Sequence, residues 1–324
     1  MPSVNRQHAL SGNVIGRVVA LSFTVTLSVT GLVGASPAAA ADDGDGAVVV
    51  TTEVLGSVVS QLVGDSGEIV VIMPSGANPH SFEPSARDAE RLLGAAVVVS
   101  NGLDLEEGLL DILESAQEAG VTWFQATDHI AVRDLADAAG DEQPEADGVE
   151  HDHAEDGEDP HFWTDPLAMR DVVLALAPVL TKAGIDVADH AEVLAAELEA
   201  LDTEVAGILS VVPADARKLV TGHRSLGYFA ARYGFEQIGT VIPGLSTSGE
   251  PTARELAQLI ADIREQGVRA VFAEVGTPQS VAQAVARDSG AELVELSTSQ
   301  LPEGGTYQDL IRGIATTVAG ALGG

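Results

Sequence analysis

Short apolar runs alternate with segments of helical spacing along most of the chain. The candidate strands are residues 47–52, 68–73, 95–100, 121–126, 218–222, 235–242, 268–274 and 291–297. Amphipathic segments follow them at 53–63, 85–93, 105–118, 225–233, 251–266, 278–288 and 306–321. Buried strands that alternate with helices are typical of βαβ units. We therefore predict an α/β fold of two lobes, each a mainly parallel sheet flanked by helices.

One long segment separates the two sets of strands. Residues 186–213 repeat apolar side chains at helical spacing, namely Val193, Leu194, Leu198, Leu201, Val205, Ile208 and Leu209. Asp186 is a candidate cap for its start, and Pro213 is expected to end it. The pattern predicts a single long, rigid helix that joins an N-terminal lobe (46–185) to a C-terminal lobe (214–324).

The first forty residues have the pattern of a secretory signal peptide. Arg6 and Arg17 precede an apolar stretch at 18–35, and small residues with an A-x-A pattern follow at Ala38–Ala40. The alternative is a membrane anchor, because an apolar stretch of this length nearly spans a bilayer. We expect cleavage after residues 1–40 and an exported protein without an anchor of its own, since the sequence has no cysteine to carry a lipid.

Charge and cysteine content exclude several classes of function. The chain has 16 Lys+Arg against 49 Asp+Glu, so its net charge of −33 opposes binding to nucleic acid. The absence of cysteine rules out disulfides, cysteine-based zinc sites and iron–sulfur clusters. We expect a soluble, monomeric protein whose partners are cations, neutral molecules or other proteins.

Three histidines lie in the loops between strands and helices. His80 follows the strand at 68–73, His161 lies in DPHFWTDP before a helix, and His223 follows the strand at 218–222. Ligands of open parallel sheets bind at the carboxyl ends of the strands, so a site between the lobes would gather all three rings. Neutral imidazoles suit Zn²⁺, Cu²⁺, Ni²⁺ or Fe²⁺ better than Mg²⁺ or Ca²⁺. The structural alternative is that each ring is a satisfied loop residue.

At these residues the sequence resembles the ZnuA/TroA-like solute-binding proteins of zinc and manganese ABC importers. The matching stretches are NPHSFEPSARDAERLLGAAVVVSNGLDLE (78–106), DPHFWTDP (159–166), VTGHRSLGYFAARYGFEQIG (220–239), GEPTARELAQLI (249–260) and VRAVFAE (268–274). The resemblance implies that Zn²⁺ is the cargo, is bound between the lobes and is delivered to the importer's permease. His80, His161 and His223 match the family's histidine ligands. Members that favour manganese often carry Glu where His223 stands, so an imidazole at this position points to zinc. Mn²⁺ or Fe²⁺ is the alternative cargo of the same importer class.

The fourth ligand position departs from the family's pattern. Many members place Asp or Glu just before the final helix, and the matching residue here is about Ser299, within residues 295–307. A water, Glu274 or Glu303 is expected to complete the site, unless the loop is offset from this alignment. Glu274 holds the family's strand-end glutamate position, which we interpret mainly as a support for the ligands.

Residues 141–159 form an acidic segment with no apolar period, which predicts a mobile surface loop. Zinc-type members often insert a His/Asp/Glu-rich loop here. His151 and His153 are therefore candidates for an auxiliary zinc collector, and a solvated acidic linker is the alternative.

Two functions of other classes remain as alternatives. Three histidines and a water also make a catalytic zinc site, as in a zinc-dependent hydrolase. The chain contains no HExxH pair, nucleophile elbow or nucleotide loop, so we expect a protein that is not an enzyme. The other alternative is a surface adhesin built on the same fold.

Overall fold

The computed structural model describes residues 46–134 and 157–323, and the predicted signal peptide lies outside them. The strands of this part are β1 (Val48–Val50), β2 (Ile69–Val71), β3 (Val97–Ser100), β4 (Thr122–Gln125), β5 (Lys218–Thr221), β6 (Glu236–Thr240), β7 (Ala270–Ala273) and β8 (Glu292–Glu295). Its helices are α1 (Glu53–Val63), α2 (Ala86–Gly94), α3 (Leu110–Glu118), α4 (Pro166–Lys182), α5 (Ala188–Leu209), α6 (Gly227–Tyr233), α7 (Ala253–Gln266), α8 (Gln279–Ser289) and α9 (Tyr307–Leu322).

The strands form two parallel sheets of four, in the orders β2-β1-β3-β4 and β6-β5-β7-β8. This confirms the predicted α/β fold with two lobes. In each sheet the chain adds its second strand on one side of the first strand and its third strand on the other side. The loops after β1 and β3, and those after β5 and β7, therefore diverge, and ligands of such sheets bind at this point. The central strands are buried, whereas the four edge strands β2, β4, β6 and β8 are only partly buried. The prediction of uniformly buried strands was therefore wrong at the edges, where a strand has one neighbour instead of two.

The two sheets share one central hydrophobic core. Alternate residues of each strand point to opposite faces, and the inner faces meet α1, α4, α5, α6 and α9. The inner-face strand residues are Val48, Val50, Val97, Val99, Leu219, Ala270 and Phe272. The outer faces contribute to two separate clusters, one containing Val49 and Val98 and the other Val220 and Val271. The lobes are therefore packed on a common core rather than held apart by a spacer.

The long helix α5 is shorter than the predicted range 186–213. It begins at Ala188, with Val187 in the N-cap position. Asp186 is not an effective cap, because its Oδ1 lies 3.5 Å from the Ala188 nitrogen. It ends at Leu209, four residues before Pro213. The apolar stripe also includes one error, since Val193 is 59% exposed.

Two further helix starts refine the sequence analysis. The helical segment expected from residue 251 begins as α7 at Ala253, two residues later, where Thr252 and Glu255 form a capping box. The helix expected after His161 is α4, which Asp165 caps by accepting a hydrogen bond from the Leu167 nitrogen. Within the described part of the chain, every helix is too short or too polar to cross a membrane.

Replacing Leu198 by alanine is expected to lower the free energy of unfolding by about 2–5 kcal/mol, because the side chain is fully buried in the central core. Val193→Ala on the same helix is the matched control and should change it by less than about 0.5 kcal/mol, since Val193 is exposed. Urea denaturation of both variants measures the difference. Equal losses would contradict the shared-core description.

Candidate metal-binding site

Three buried imidazoles meet between the lobes. His80 lies in a short 3₁₀ turn after β2. The backbone nitrogen of His80 donates a hydrogen bond to the side chain of Asn78 at 3.1 Å. His161 lies immediately before a 3₁₀ turn that leads into α4, and His223 lies two residues after β5. Their exposed fractions are 7%, 1% and 5%. The structure thus brings together the three histidines that the sequence singled out.

The Nε2 atoms have the spacing of ligands around one ion. Nε2 of His161 lies 3.3 Å from Nε2 of His80 and 3.2 Å from Nε2 of His223. Two imidazole nitrogens on a tetrahedral Zn²⁺, each at about 2.0–2.1 Å, lie roughly 3.3–3.4 Å apart. Within residues 46–134 and 157–323, this is the one group of three or more His, Asp or Glu side chains whose ligand atoms all lie within 4.8 Å of one another.

Asp159 orients the ring of His161. Its Oδ1 accepts a hydrogen bond from the His161 backbone nitrogen at 2.9 Å and lies 2.8 Å from Nδ1 of the same residue. A proton on Nδ1 satisfies this contact and leaves the Nε2 lone pair directed at the other two rings. The sequence pattern included Asp159 in the acidic segment 141–159 and gave it no role at the site. The signal for its role is its position two residues before the histidine in the DPH stretch.

Glu274 lies behind His223 and holds its backbone. It follows β7, and its Oε2 accepts a hydrogen bond from the His223 nitrogen at 3.1 Å and lies 3.1 Å from Nδ1. Ser225 donates to Oε1 in a short hydrogen bond. Burial opposes ionisation of Glu274, but His223 and the hydroxyl of Ser225 outweigh it and lower the pKa of this carboxyl. A Cβ at Gly222 would collide with Thr277, so only glycine permits this close packing.

Burial favours the neutral form of two of the rings, those of His80 and His161. It lowers the pKa of His80 to about 2, and the neighbouring rings of His161 and His223 add to the effect. Burial also lowers the pKa of His161, although Asp159 counteracts it. A neutral imidazole has a free lone pair, so His80 and His161 are ready to bind a cation at neutral pH without first losing a proton.

The cavity between the rings has the size of an ion and not of an organic molecule. Its volume is about 10 Å³, close to the space that one water requires. Thr298 and Ser299 line it from the C-terminal lobe, and Asn78 donates a hydrogen bond across the junction to Thr247 at 2.8 Å. Trp163 closes another side by donating to the Thr298 carbonyl at 2.8 Å.

The other predicted site residues fall in three places. Ser299 lines the cavity, partly buried, whereas Glu274 lies behind His223 with its oxygens engaged by His223 and Ser225. Glu303 is exposed and lies outside the lining of the cavity.

The predicted acidic loop 141–159 extends too far at its end. Asp159 is 1% exposed and belongs to the site, because its carboxylate is required beside His161. His151 and His153 lie outside the described residues.

The metal-stripped protein is expected to lose stability between pH 7 and pH 5. A histidine with a folded-state pKa far below 6.5 takes up its proton only in the unfolded chain, so unfolding becomes easier as the pH falls. For His80 this amounts to about 2 kcal/mol between the two pH values. In urea denaturation, His80→Gln should show a smaller loss by about that amount, whereas the exposed His129→Gln should behave like the parent. Equal losses in all three proteins would contradict a buried, neutral His80.

Comparison with known proteins places the chain in a family. The model of the family described as ZnuA, zinc-uptake complex component A, periplasmic, matches residues 48–321. The zinc-binding protein AdcA of Streptococcus pyogenes serotype M1 is 29% identical over 248 residues, which cover 73% of this chain and 47% of AdcA. The chain thus spans about half the length of the AdcA proteins that it matches. The manganese-binding lipoprotein MntA of Halalkalibacterium halodurans is 27% identical over 298 residues, covering 89% of this chain and 92% of MntA.

A solved structure has the same fold. The periplasmic zinc binding protein TroA from Treponema pallidum matches with a TM-score of 0.71 at 24% identity, covering 86% of this chain and 99% of TroA. The family match extends over most of the chain and includes all three histidines. The protein therefore belongs to the ZnuA/TroA-like family of metal-binding, solute-binding components of ABC importers, which are binding proteins and not enzymes.

Proposed function

We propose that the protein captures Zn²⁺ with His80, His161 and His223 and delivers it to the permease of an ABC importer. The observation that carries the proposal is the convergence of three buried Nε2 atoms at 3.2–3.3 Å in a cavity the size of one ion. The family match supports the role in import. Zinc is named in AdcA and TroA, two of the similar proteins.

The donor set favours zinc over manganese. Imidazole suits borderline-soft ions such as Zn²⁺, whereas Mn²⁺ favours carboxylate, carbonyl and water oxygens. Within the described residues, the group of clustered ligand atoms contains three histidines and no carboxylate. Manganese remains the second candidate because MntA, similar over most of its length, is a manganese-binding protein.

A water completes the coordination sphere in this proposal. Ser299 is the nearest counterpart of the acidic fourth ligand in relatives, and a neutral hydroxyl is a weak ligand for zinc. Glu274 is held behind His223 by two hydrogen-bond donors, and Glu303 is exposed. A zinc ion bound by three histidines and one water is a common arrangement.

Release in this proposal relies on local loop movement. The lobes share a central core, and both Asn78–Thr247 and Gln300–Gly76 hydrogen bonds cross the junction beside the site. Wide opening would expose that core, so displacement of the loops around His80 and Ser299 on docking to the permease is the easier route. We further propose that the protein acts outside the cytoplasmic membrane as a monomer.

Calorimetry on the metal-stripped protein tests the cargo. We expect tight, single-site binding of Zn²⁺ and much weaker binding of Mn²⁺. His80→Ala and His223→Ala should each weaken zinc binding beyond the ~10–100-fold that loss of a residue supporting a ligand typically causes. His190→Ala, on α5, is the control and should bind like the parent. Weak zinc binding, or preference for manganese, would refute the zinc assignment.

Ser299→Asp tests the fourth position. A carboxylate at this point of the cavity wall should displace the water and add an oxygen donor, so manganese affinity is expected to rise relative to zinc affinity. Glu303→Gln should leave both affinities unchanged because Glu303 lies outside the lining. Competition between the two metals measures the ratio. An unchanged ratio in Ser299→Asp would place the fourth ligand elsewhere.

A further inference from the structure

A second buried polar cluster lies in the N-terminal lobe, at the point where the strand order reverses. Thr51 follows β1, Asn101 follows β3, and Glu106 lies in the loop that leaves β3. Their exposed fractions are 0%, 1% and 1%. A carboxyl group buried this deeply is expensive unless its oxygens are hydrogen-bonded, so its partners indicate what it does.

Glu106 holds the loop after β3 in an unusual shape. Its Oε1 accepts hydrogen bonds from the Thr51 hydroxyl at 2.5 Å and the Asn101 nitrogen at 2.7 Å, and Oε2 accepts one from Gly102 at 3.3 Å. Leu103 and Asp104 have φ values of +52° and +54°, a region that non-glycine residues rarely occupy. Burial raises the pKa of Glu106, and the three hydrogen bonds counteract it. The loop keeps this geometry because one carboxyl group accepts three hydrogen bonds.

The loop directs the side chain of Asn101 at the chain that carries His161. Its Nδ2 donates to the Gly102 carbonyl at 3.1 Å and to the Pro160 carbonyl at 2.9 Å. That second carbonyl belongs to the peptide bond between Pro160 and His161. The nitrogen of the same peptide bond donates to Asp159. The peptide plane is thus held on one side by Asn101 and on the other by Asp159, which fixes the direction in which the imidazole of His161 leaves the backbone.

Asn101 makes these bonds at an energetic cost. Its Oδ1 is buried and, among the described residues, has no hydrogen-bond partner. An unpaired buried oxygen is unfavourable, and a side chain selected for stability alone would avoid it. The cost is consistent with a requirement for an amide donor aimed at the Pro160 carbonyl.

We infer that Asn101 and Glu106 are positioning residues for the metal site: Glu106 shapes the loop, and Asn101 fixes the Pro160–His161 peptide so that Nε2 of His161 faces the other two rings. The inference rests on the proposed function and extends it to residues that touch no ligand atom. Ser100, the preceding residue, is equally buried and offers a comparison, because its hydroxyl accepts a hydrogen bond from Trp123 on the neighbouring strand, away from His161.

Asn101→Ala and the matched control Ser100→Ala separate the two roles. Each variant removes a buried hydrogen bond, so each should lower the melting temperature of the stripped protein. Only Asn101→Ala should also weaken zinc binding, by about tenfold, the lower end of the effect of residues that orient metal ligands. It should also alter the visible absorption of Co²⁺ bound in place of zinc, which reports coordination geometry and not stability.

Glu106→Gln is the second variant, for use if Asn101→Ala does not fold. An amide nitrogen in place of one oxygen would face a backbone N–H, so the loop should shift and zinc affinity and the cobalt spectrum should change together. Parent-like affinity and spectrum in a folded variant, or an equal affinity loss in Ser100→Ala, would overturn the inference while leaving the proposed function intact. Failure of the parent protein to bind zinc would overturn the proposed function and the inference with it.

Discussion

The central hydrophobic core between the two sheets is the constraint on which the site depends. His80 and His161 belong to the N-terminal lobe, and His223 belongs to the C-terminal lobe. Yet Nε2 of His161 lies 3.3 Å from Nε2 of His80 and 3.2 Å from Nε2 of His223. Such distances tolerate errors of only a few tenths of an ångström in the relative position of the lobes. A spacer helix in water would not give that precision. Close packing of both inner sheet faces on α4, α5 and α9 does, because packed interiors deform little.

The charges of the buried side chains also determine what the site can bind. Burial makes a charged imidazole unfavourable, so His80 and His161 stay neutral and their lone pairs remain available. A divalent cation in such a site would itself be poorly solvated without compensating charge. Asp159 and Glu274 lie one ring away from the ion position, close enough to compensate that charge without occupying a ligand position. Neutral ligands backed by carboxylates thus combine a preference for borderline-soft metals with charge balance.

The sequence predicted the strands and helices better than the way they pack against one another. All eight strands and the three histidines follow from local pattern, since buried strands read as apolar runs and the loops at their ends are marked by Gly, Pro and His. The shared core does not follow, because apolar periodicity shows which face of a helix is buried but not against what. The same limit explains Val193, which fits the period of α5 yet points to water. Asp159 was assigned to an acidic loop because composition cannot reveal that one carboxylate of many turns inward.

Each lobe contains a buried glutamate at the same point of its topology. Glu274 follows the third strand of the C-terminal sheet, and Glu106 lies in the loop after the third strand of the N-terminal sheet. Parallel strands end there with backbone N–H groups that point out of the sheet, and a carboxylate satisfies several of them at once. In the C-terminal lobe the glutamate reaches a histidine directly. In the N-terminal lobe it acts through Asn101 on the peptide before His161, so each lobe orients a histidine from the site where its strand order reverses.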